Sequence, residues 1–159
     1  MERELELLYR ERALAFRRMA RSLAGSDEAA RDAVQEGFAR ALRGRSSFRH
    51  SGTLSGWVWR CVVRAALDAR TGDRDLSLDA AIALAGPDLP EPDRNPALID
   101  ALRGLTPRQR MVVFLRYHAD LSLEQIAQAI DTTPATASAT LSQATARLRK
   151  QLTPAEVEP

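Results

Sequence analysis

Cysteine is nearly missing from this chain. Cys61 stands alone in 159 residues, which excludes an internal disulfide, and with only His50 and His118 beside it no zinc-ligand spacing can be assembled. Aromatic residues make up 5% of the chain, and long β-branched runs are absent, so little argues for strands. No apolar run is long enough to cross a membrane. The start, Met1-Glu2-Arg3-Glu4, lacks the pattern of a signal peptide. These absences point to a cytoplasmic location. Catalytic signatures are missing too: there is no Gly-x-Ser-x-Gly, no phosphate-binding Gly-x-x-x-x-Gly-Lys and no His-Glu-x-x-His. His50 and His118 read as loop and helix-end residues rather than acid–base groups. The expectation is a protein that is not an enzyme and needs no cofactor, metal or small-molecule substrate.

What is present is mostly alanine, leucine and arginine. Apolar residues reach 45%, enough to build a core, and Ala and Leu favour helices. The expected fold class is all-α. The net charge of +2 is unevenly spread. Residues 1–75 carry 15 Arg against 11 acids, residues 76–104 carry 2 Arg against 5 acids, and residues 105–159 carry 6 basic residues against 5 acids. Lys150 is the only lysine. Arginine suits phosphate and base-edge hydrogen bonding, although a GC-rich coding sequence would produce the same preference.

Three helices are expected first. Over residues 3–23, Leu5, Leu8, Leu14 (or Ala15), Met19 and Leu23 recur near helical spacing. After Gly25, Ser26 or Asp27 caps a second helix running to about Arg43, with Ala30, Val34, Phe38 (or Gly37) and Ala41 or Leu42 inward. A Gly/Ser/Arg loop spans Gly44 to Gly52. The third helix, from Thr53 or Leu54 to about Arg70, carries Leu54, Trp57, Val58, Cys61, Val62 and Ala65 in one stripe. Residues 73–94 then read as a flexible acidic linker containing Gly86-Pro87, Leu89-Pro90 and Glu91-Pro92. A short helix at Asp75–Ala85 is left open. The division is a three-helix bundle at 1–72, the linker, and a second bundle at 95–159.

The last third is the best punctuated. Thr106-Pro107-Arg108-Gln109 is a capping box with proline at the first helical position. Ser122-Leu123-Glu124-Gln125 is a second box, opening a short helix to Ile130. Asp131-Thr132-Thr133 turns, and Thr133-Pro134 opens a third helix running to about Leu152. A short helix, a tight turn and a longer helix form a helix-turn-helix, whose second helix can enter a DNA major groove. An ordinary three-helix bundle would have the same packing.

The stretch Leu105-Thr-Pro-Arg-Gln-Arg-Met-Val-Val-Phe-Leu-Arg-Tyr117, followed by Leu121-Ser-Leu-Glu-Gln-Ile-Ala127, resembles the C-terminal promoter-binding domain of extracytoplasmic-function sigma factors of the sigma-70 family. Asp32-Ala-Val-Gln-Glu-Gly-Phe38 resembles their polymerase-docking helix. Phe48, Gly56-Trp-Val-Trp-Arg60 and Asp68-Ala-Arg70 resemble the helix that engages melted promoter DNA. The matches occur in family order on both sides of the linker and cover about two thirds of the chain. The resemblance implies a transcription initiation factor whose partners are core RNA polymerase, promoter DNA and, commonly in this family, an anti-sigma factor. It implies polymerase docking through Asp32, Gln35 and Glu36. It also implies single-strand DNA contact through Trp59, Arg60 and Arg64.

Trp59 lies off the apolar stripe, where it could stack on an unpaired base or pack under the Gly44–Gly52 loop. Arg64 departs from the asparagine usual in the family. The recognition helix departs further. The positions that resemble its basic contacts are Ser138, Thr140, Ser142, Gln143 and Thr145, all neutral, with Arg147 beyond them. Counterion release contributes little from such a helix. A second reading therefore stands beside the first: a sigma-like protein that sequesters an anti-sigma factor or polymerase without reading DNA.

Overall fold

Acidic Glu2 and Glu4 at one end and Arg21 at the other suit a helix dipole. The computed structural model, which describes residues 1–48, 52–70 and 95–153, places α1 over Glu2–Ala24. The helix stops at Gly25, whose φ of 90° is left-handed and whose N–H bonds the Arg21 carbonyl. Ser26 caps α2 (Asp27–Arg43), its hydroxyl accepting from the Ala29 N–H at 3.1 Å. A short 3₁₀ turn at Arg45–Ser47 leads toward α3 (Leu54–Arg70). Helices α2 and α3 touch at Gly37, where a Cβ would lie 2.6 Å from the Val62 Cα. Only glycine permits that approach.

The second group of helices begins with α4 (Pro96–Arg103), which the sequence reading did not assign. It is capped by Asn95 with proline at the first position. Next come α5 (Pro107–Tyr117), α6 (Leu123–Ala129) and α7 (Pro134–Leu152). Both capping boxes form as read: Thr106 with Gln109, and Ser122 with Gln125. The turn between α6 and α7 passes through Asp131 at φ 55°. The fold is all-α, with no strand among the described residues. The expected linker, the open question at Asp75–Ala85 and the loop residue His50 lie outside the described residues.

Two helices are buried more widely than expected. In α1, Leu5, Met19 and Leu23 are buried as expected and Ala15, not Leu14, packs on the core, but Phe16 and Ala20 are fully buried as well, whereas Leu14 is 61% exposed. The large ring of Phe16 takes the core position because it packs edge-on against Phe38 of α2, with centroids 5.2 Å apart. In α3 the buried arc is wider than one stripe. Val58, Val62 and Ala65 are buried as expected, but so are Gly56, Trp59, Val63, Ala66 and Leu67, while Leu54, Trp57 and Cys61 are only half-buried. A helix buried over so much of its circumference has packing partners on more than one side. Helices α1 and α2 cover one side, and the C-terminal helices cover the other.

The core is consequently continuous. Phe16 of α1, Trp59 of α3 and Phe114 of α5 form a chain of rings through it, with centroids 4.1 Å and 5.0 Å apart in turn. A smaller cluster of Leu105, Val113 and Ala144, with Leu102 and Leu148 against it, ties α7 to α4 and α5.

Candidate functional site

On α2, Asp32 and Gln35 face solvent, while Glu36 is half-buried. Gln35 lines a cleft of about 490 Å³ between α1 and α2, floored by Leu5, Val34 and Phe38 and edged by Tyr9 and Arg31. The sequence reading missed this cleft, because it forms only where α1 and α2 diverge. Glu36 anchors a charge network. One of its oxygens accepts from Arg40 Nε and from Arg43 Nη2, both at 2.9 Å. Arg40 also donates to Asp68 of α3 at 2.8 Å, and Arg64 lies 3.7 Å from the same carboxylate. The Arg40 hydrogen bond, assisted by Arg43, holds the Glu36 carboxyl below the usual carboxylate range, although desolvation opposes it. Asp32 and Gln35 are thus presented outward, whereas Glu36 is tied along α2 to Arg40, the residue that bridges to α3.

The α3 candidates are placed differently from one another. Trp59 is fully buried, which corrects the expectation of a solvent-facing ring off the apolar stripe. Its ring neighbours among the described residues lie elsewhere than the Gly44–Gly52 loop. Its ring lies between Phe16 on one side and Phe114 and His118 on the other, with the His118 centroid at 5.8 Å. Its indole Nε1 is buried with no hydrogen-bond partner among the described residues. Trp57 is the tryptophan near the loop. Its Nε1 donates to the Ala41 carbonyl at 3.3 Å, its ring lies 6.0 Å from Phe48, and Gly44 leaves it room. Arg60 sits 4.6 Å above the Trp57 ring and donates to Gln128 of α6 at 2.7 Å. Arg60, Arg64 and Asp68 follow one another at four-residue spacing along the open edge of α3.

On α7 the candidate residues divide among three directions. Ala137 and Ala144 are buried, and the opposite side presents Ser142 and Gln143 to solvent between Ala135, Ala139 and Ala146. Ser138 and Thr140 are half-buried on the flanks, and Thr140 donates its hydroxyl to the Thr136 carbonyl at 2.9 Å. Thr145 does the same to Leu141 at 2.7 Å. These back-bonds occupy groups that could otherwise donate outward. Arg147 is exposed but turns inward, donating to Gln109 Oε1 at 3.3 Å. Of the neutral set, Ser142 and Gln143 have the freest outward aspect.

Comparison with known proteins matches both halves. Residues 8–75 fit the family model for sigma-70 region 2, and residues 96–148 fit that for sigma-70 region 4. The RNA polymerase sigma factor SigV of Bacillus subtilis is 29% identical over 140 residues, covering 87% of this chain and 84% of SigV. The ECF RNA polymerase sigma factor SigM of Mycobacterium tuberculosis is 39% identical over 61 residues, 38% of this chain and 31% of SigM. Among solved structures, the sigma factor RpoE of Bartonella quintana, crystallised with the anti-sigma factor NepR, shares the fold at a TM-score of 0.56 and 22% identity, covering 99% of this chain and 98% of RpoE. With regions 2 and 4 present in order, the chain belongs to the sigma-70 family as an extracytoplasmic-function sigma factor, a promoter-directing subunit of RNA polymerase.

Proposed function

We infer that this chain binds core RNA polymerase through α2 and directs it to promoters through α7, with α3 holding the melted strand. The observation that carries this reading is the pairing of the two sigma regions in one chain, residues 8–75 and 96–148. In this reading residues 1–72 and 95–159 act as two units joined through 73–94. Asp32 and Gln35, presented outward, make the polymerase contact, with Glu36 bracing their helix. Arg60 and Arg64 track the phosphates of the melted strand, and Trp59 stacks on an unpaired base once it is uncovered. Ser142 and Gln143 face the duplex, where glutamine can pair with adenine, while Ser138, Thr140 and Arg147 flank them. The protein acts in the cytoplasm and performs no chemistry of its own. No helix among the described residues is long and apolar enough to span a membrane.

An anti-sigma factor is a further partner in this reading, as it is for the RpoE protein crystallised with NepR. A specific observation favours a second function. From Ala135 to Ala146 the recognition helix has no charged residue, which suits a chain that occupies an anti-sigma factor or polymerase without reading duplex DNA. Run-off transcription with purified core enzyme on a pool of promoter fragments separates the two. Specific transcripts establish the first reading, and polymerase binding without transcripts establishes the second. Charge reversal at the docking face, Asp32→Arg with Glu36→Arg, is expected to weaken capture of core enzyme while the helical circular dichroism is retained. Undiminished capture would remove the docking assignment.

A further inference from the structure

One face of α1 packs on the core, and the opposite face is open. Leu5, Phe16, Met19, Ala20 and Leu23 are buried on the first. Opposite them, Arg3, Leu7, Arg10, Leu14, Arg18 and Arg21 follow one another at steps of three or four residues, a single stripe along the helix. Leu14 and Leu7 are the most exposed leucines among the described residues, at 61% and 49%. A leucine exposed singly needs no explanation. Two of them two turns apart, each set between arginines, repeat the spacing of a helix-on-helix seam. With 23 residues, α1 gives that seam a length of about 35 Å.

The charges on this stripe are all positive. Arg10 donates to Glu6 of its own helix at 2.6 Å, and Arg21 lies 3.2 Å from Asp27. Arg3 and Arg18 make no hydrogen bond or ion pair among the described residues. The sign decides among occupants. A second copy of the chain would set Arg3 against Arg3 and Arg10 against Arg10 in a parallel pair, and Arg3 against Arg21 in an antiparallel one. Like charges across a seam repel. A phosphate backbone would pair with the arginines but has no use for the leucines. An anionic bilayer needs a broad apolar face, and that face of α1 is already turned to the core. What remains is a protein helix that offers apolar side chains to Leu7 and Leu14 and carboxylates to the arginines beside them.

We propose that the outer face of α1 is a docking surface for a protein partner that presents an amphipathic helix, with acidic and apolar residues alternating at three- and four-residue steps. Glu4 and Glu11 stand along one rim of the stripe, where a lysine or arginine flanking the partner's seam would pair and fix its direction. The surface is distinct from the docking face of α2, where Asp32 and Glu36 carry the opposite sign. It calls for an occupant of different chemistry. Its existence does not depend on the assignment of α2, α3 or α7 to transcription initiation.

The experiment titrates the full chain into a fluorescein-labelled synthetic peptide, a soluble helix whose seam alternates Leu and Glu at the same steps, and reads fluorescence anisotropy. A second peptide carries Lys in place of each Glu. Saturable binding of the acidic peptide, and none of the basic one, is the expected result. Leu7→Ser with Leu14→Ser is expected to weaken binding roughly tenfold or more, because the burial of two leucines is lost. Arg10→Glu with Arg18→Glu is expected to weaken it by a similar factor, about tenfold, through like-charge contact. Neither pair touches the core, and the arginine pair decides the matter if the leucine pair loses helical signal. Failure of the acidic peptide to bind, or binding indifferent to the leucines, would overturn the proposal. So would self-association in sedimentation equilibrium that Leu14→Ser abolishes, which gives the face to a second copy. Binding to phosphatidylglycerol vesicles that the leucine pair abolishes would overturn it in favour of a bilayer. Capture of core enzyme should be unchanged by Leu7→Ser with Leu14→Ser, and its loss would merge the stripe with the polymerase contact. The run-off assay judges the assignment to transcription initiation separately.

Discussion

Helices α3 and α7 are of similar length, and both carry residues assigned to DNA, yet they are opposites. Helix α3 bears Arg60 and Arg64 and is buried over most of its circumference. Helix α7 is buried only at Ala137 and Ala144, and it carries no charge from Ala135 to Ala146. The helix that carries its arginines along its length is largely buried, and the more open one has its charges, Arg147, Arg149 and Lys150, only at its far end. Under the proposed function, the pairing means that neither half holds DNA tightly by itself. In that reading α3 needs melted DNA to act on, and the back half needs to be brought to its site. Tethering to polymerase would supply the second requirement, because effective concentration can raise affinity by roughly 10²–10⁴ without new contacts.

The largest expected effect breaks the comparison at its buried end. Trp59→Ala removes the ring that joins the two halves of the core and should destabilise the chain by about 3–5 kcal/mol, read by urea denaturation. Gln143→Ala on α7 should change stability by less than about 0.5 kcal/mol. Equal effects would mean that Trp59 is not the shared core residue described. Next in size is Gly37→Ala. Alanine favours a helix, but its methyl group would press on the Val62 backbone at 2.6 Å, so a loss of about 1–3 kcal/mol is expected. Unchanged or increased stability would show that α2 and α3 can separate at that point.

The comparison is sharpened by charging the neutral helix. Ser138→Lys with Thr140→Arg should steepen the salt dependence of duplex binding by about 0.9 for each phosphate the new side chains reach. Fluorescence anisotropy of the full chain across a salt series measures this. A steep slope in the unmodified protein would locate duplex binding elsewhere.

The smallest effect concerns His118, whose ring stacks on Phe114 at 4.8 Å and meets Trp59 edge-on. Burial, and secondarily the charge of Arg12, hold its pKa below the usual 6.5. The unfolded chain therefore binds the proton first as pH falls, so stability should decline as pH drops through 6.5 and level off below the depressed folded value. His118→Gln should flatten that decline modestly in denaturation series at several pH values. An unchanged slope would assign the pH dependence to other groups.

Much of the C-terminal half was legible because its signals are local. A capping residue, a proline and a glutamine three positions on mark a helix start wherever they occur, and Thr106, Ser122 and Thr133 all cap as read. Asn95-Pro96 carries the same kind of signal but adjoins a proline-rich stretch, which hid α4. The site residues were harder, because their placement is tertiary. Trp57 fits one stripe of α3, and Trp59 fits a second stripe running through Gly56, Val63 and Leu67. Nothing local tells which stripe faces which neighbour. Only the arrival of Phe114 and His118 turns Trp59 inward and leaves Trp57 at the edge. Likewise, the spacing of Asp32, Gln35 and Glu36 was visible, but the reach of Arg40, Glu36's partner, across to Asp68 depends on α3.

Gln109 has a consequence for re-engineering the protein. Its Oε1 accepts from the Thr106 N–H at 3.1 Å and from Arg147 at 3.3 Å, so one atom both closes the start of α5 and links it to α7. Under the proposed function, a library meant to retarget promoter choice has Ser142 and Gln143 as its free positions. Arg147, though also exposed, is tied to Gln109, and randomising it would remove that link between α7 and α5.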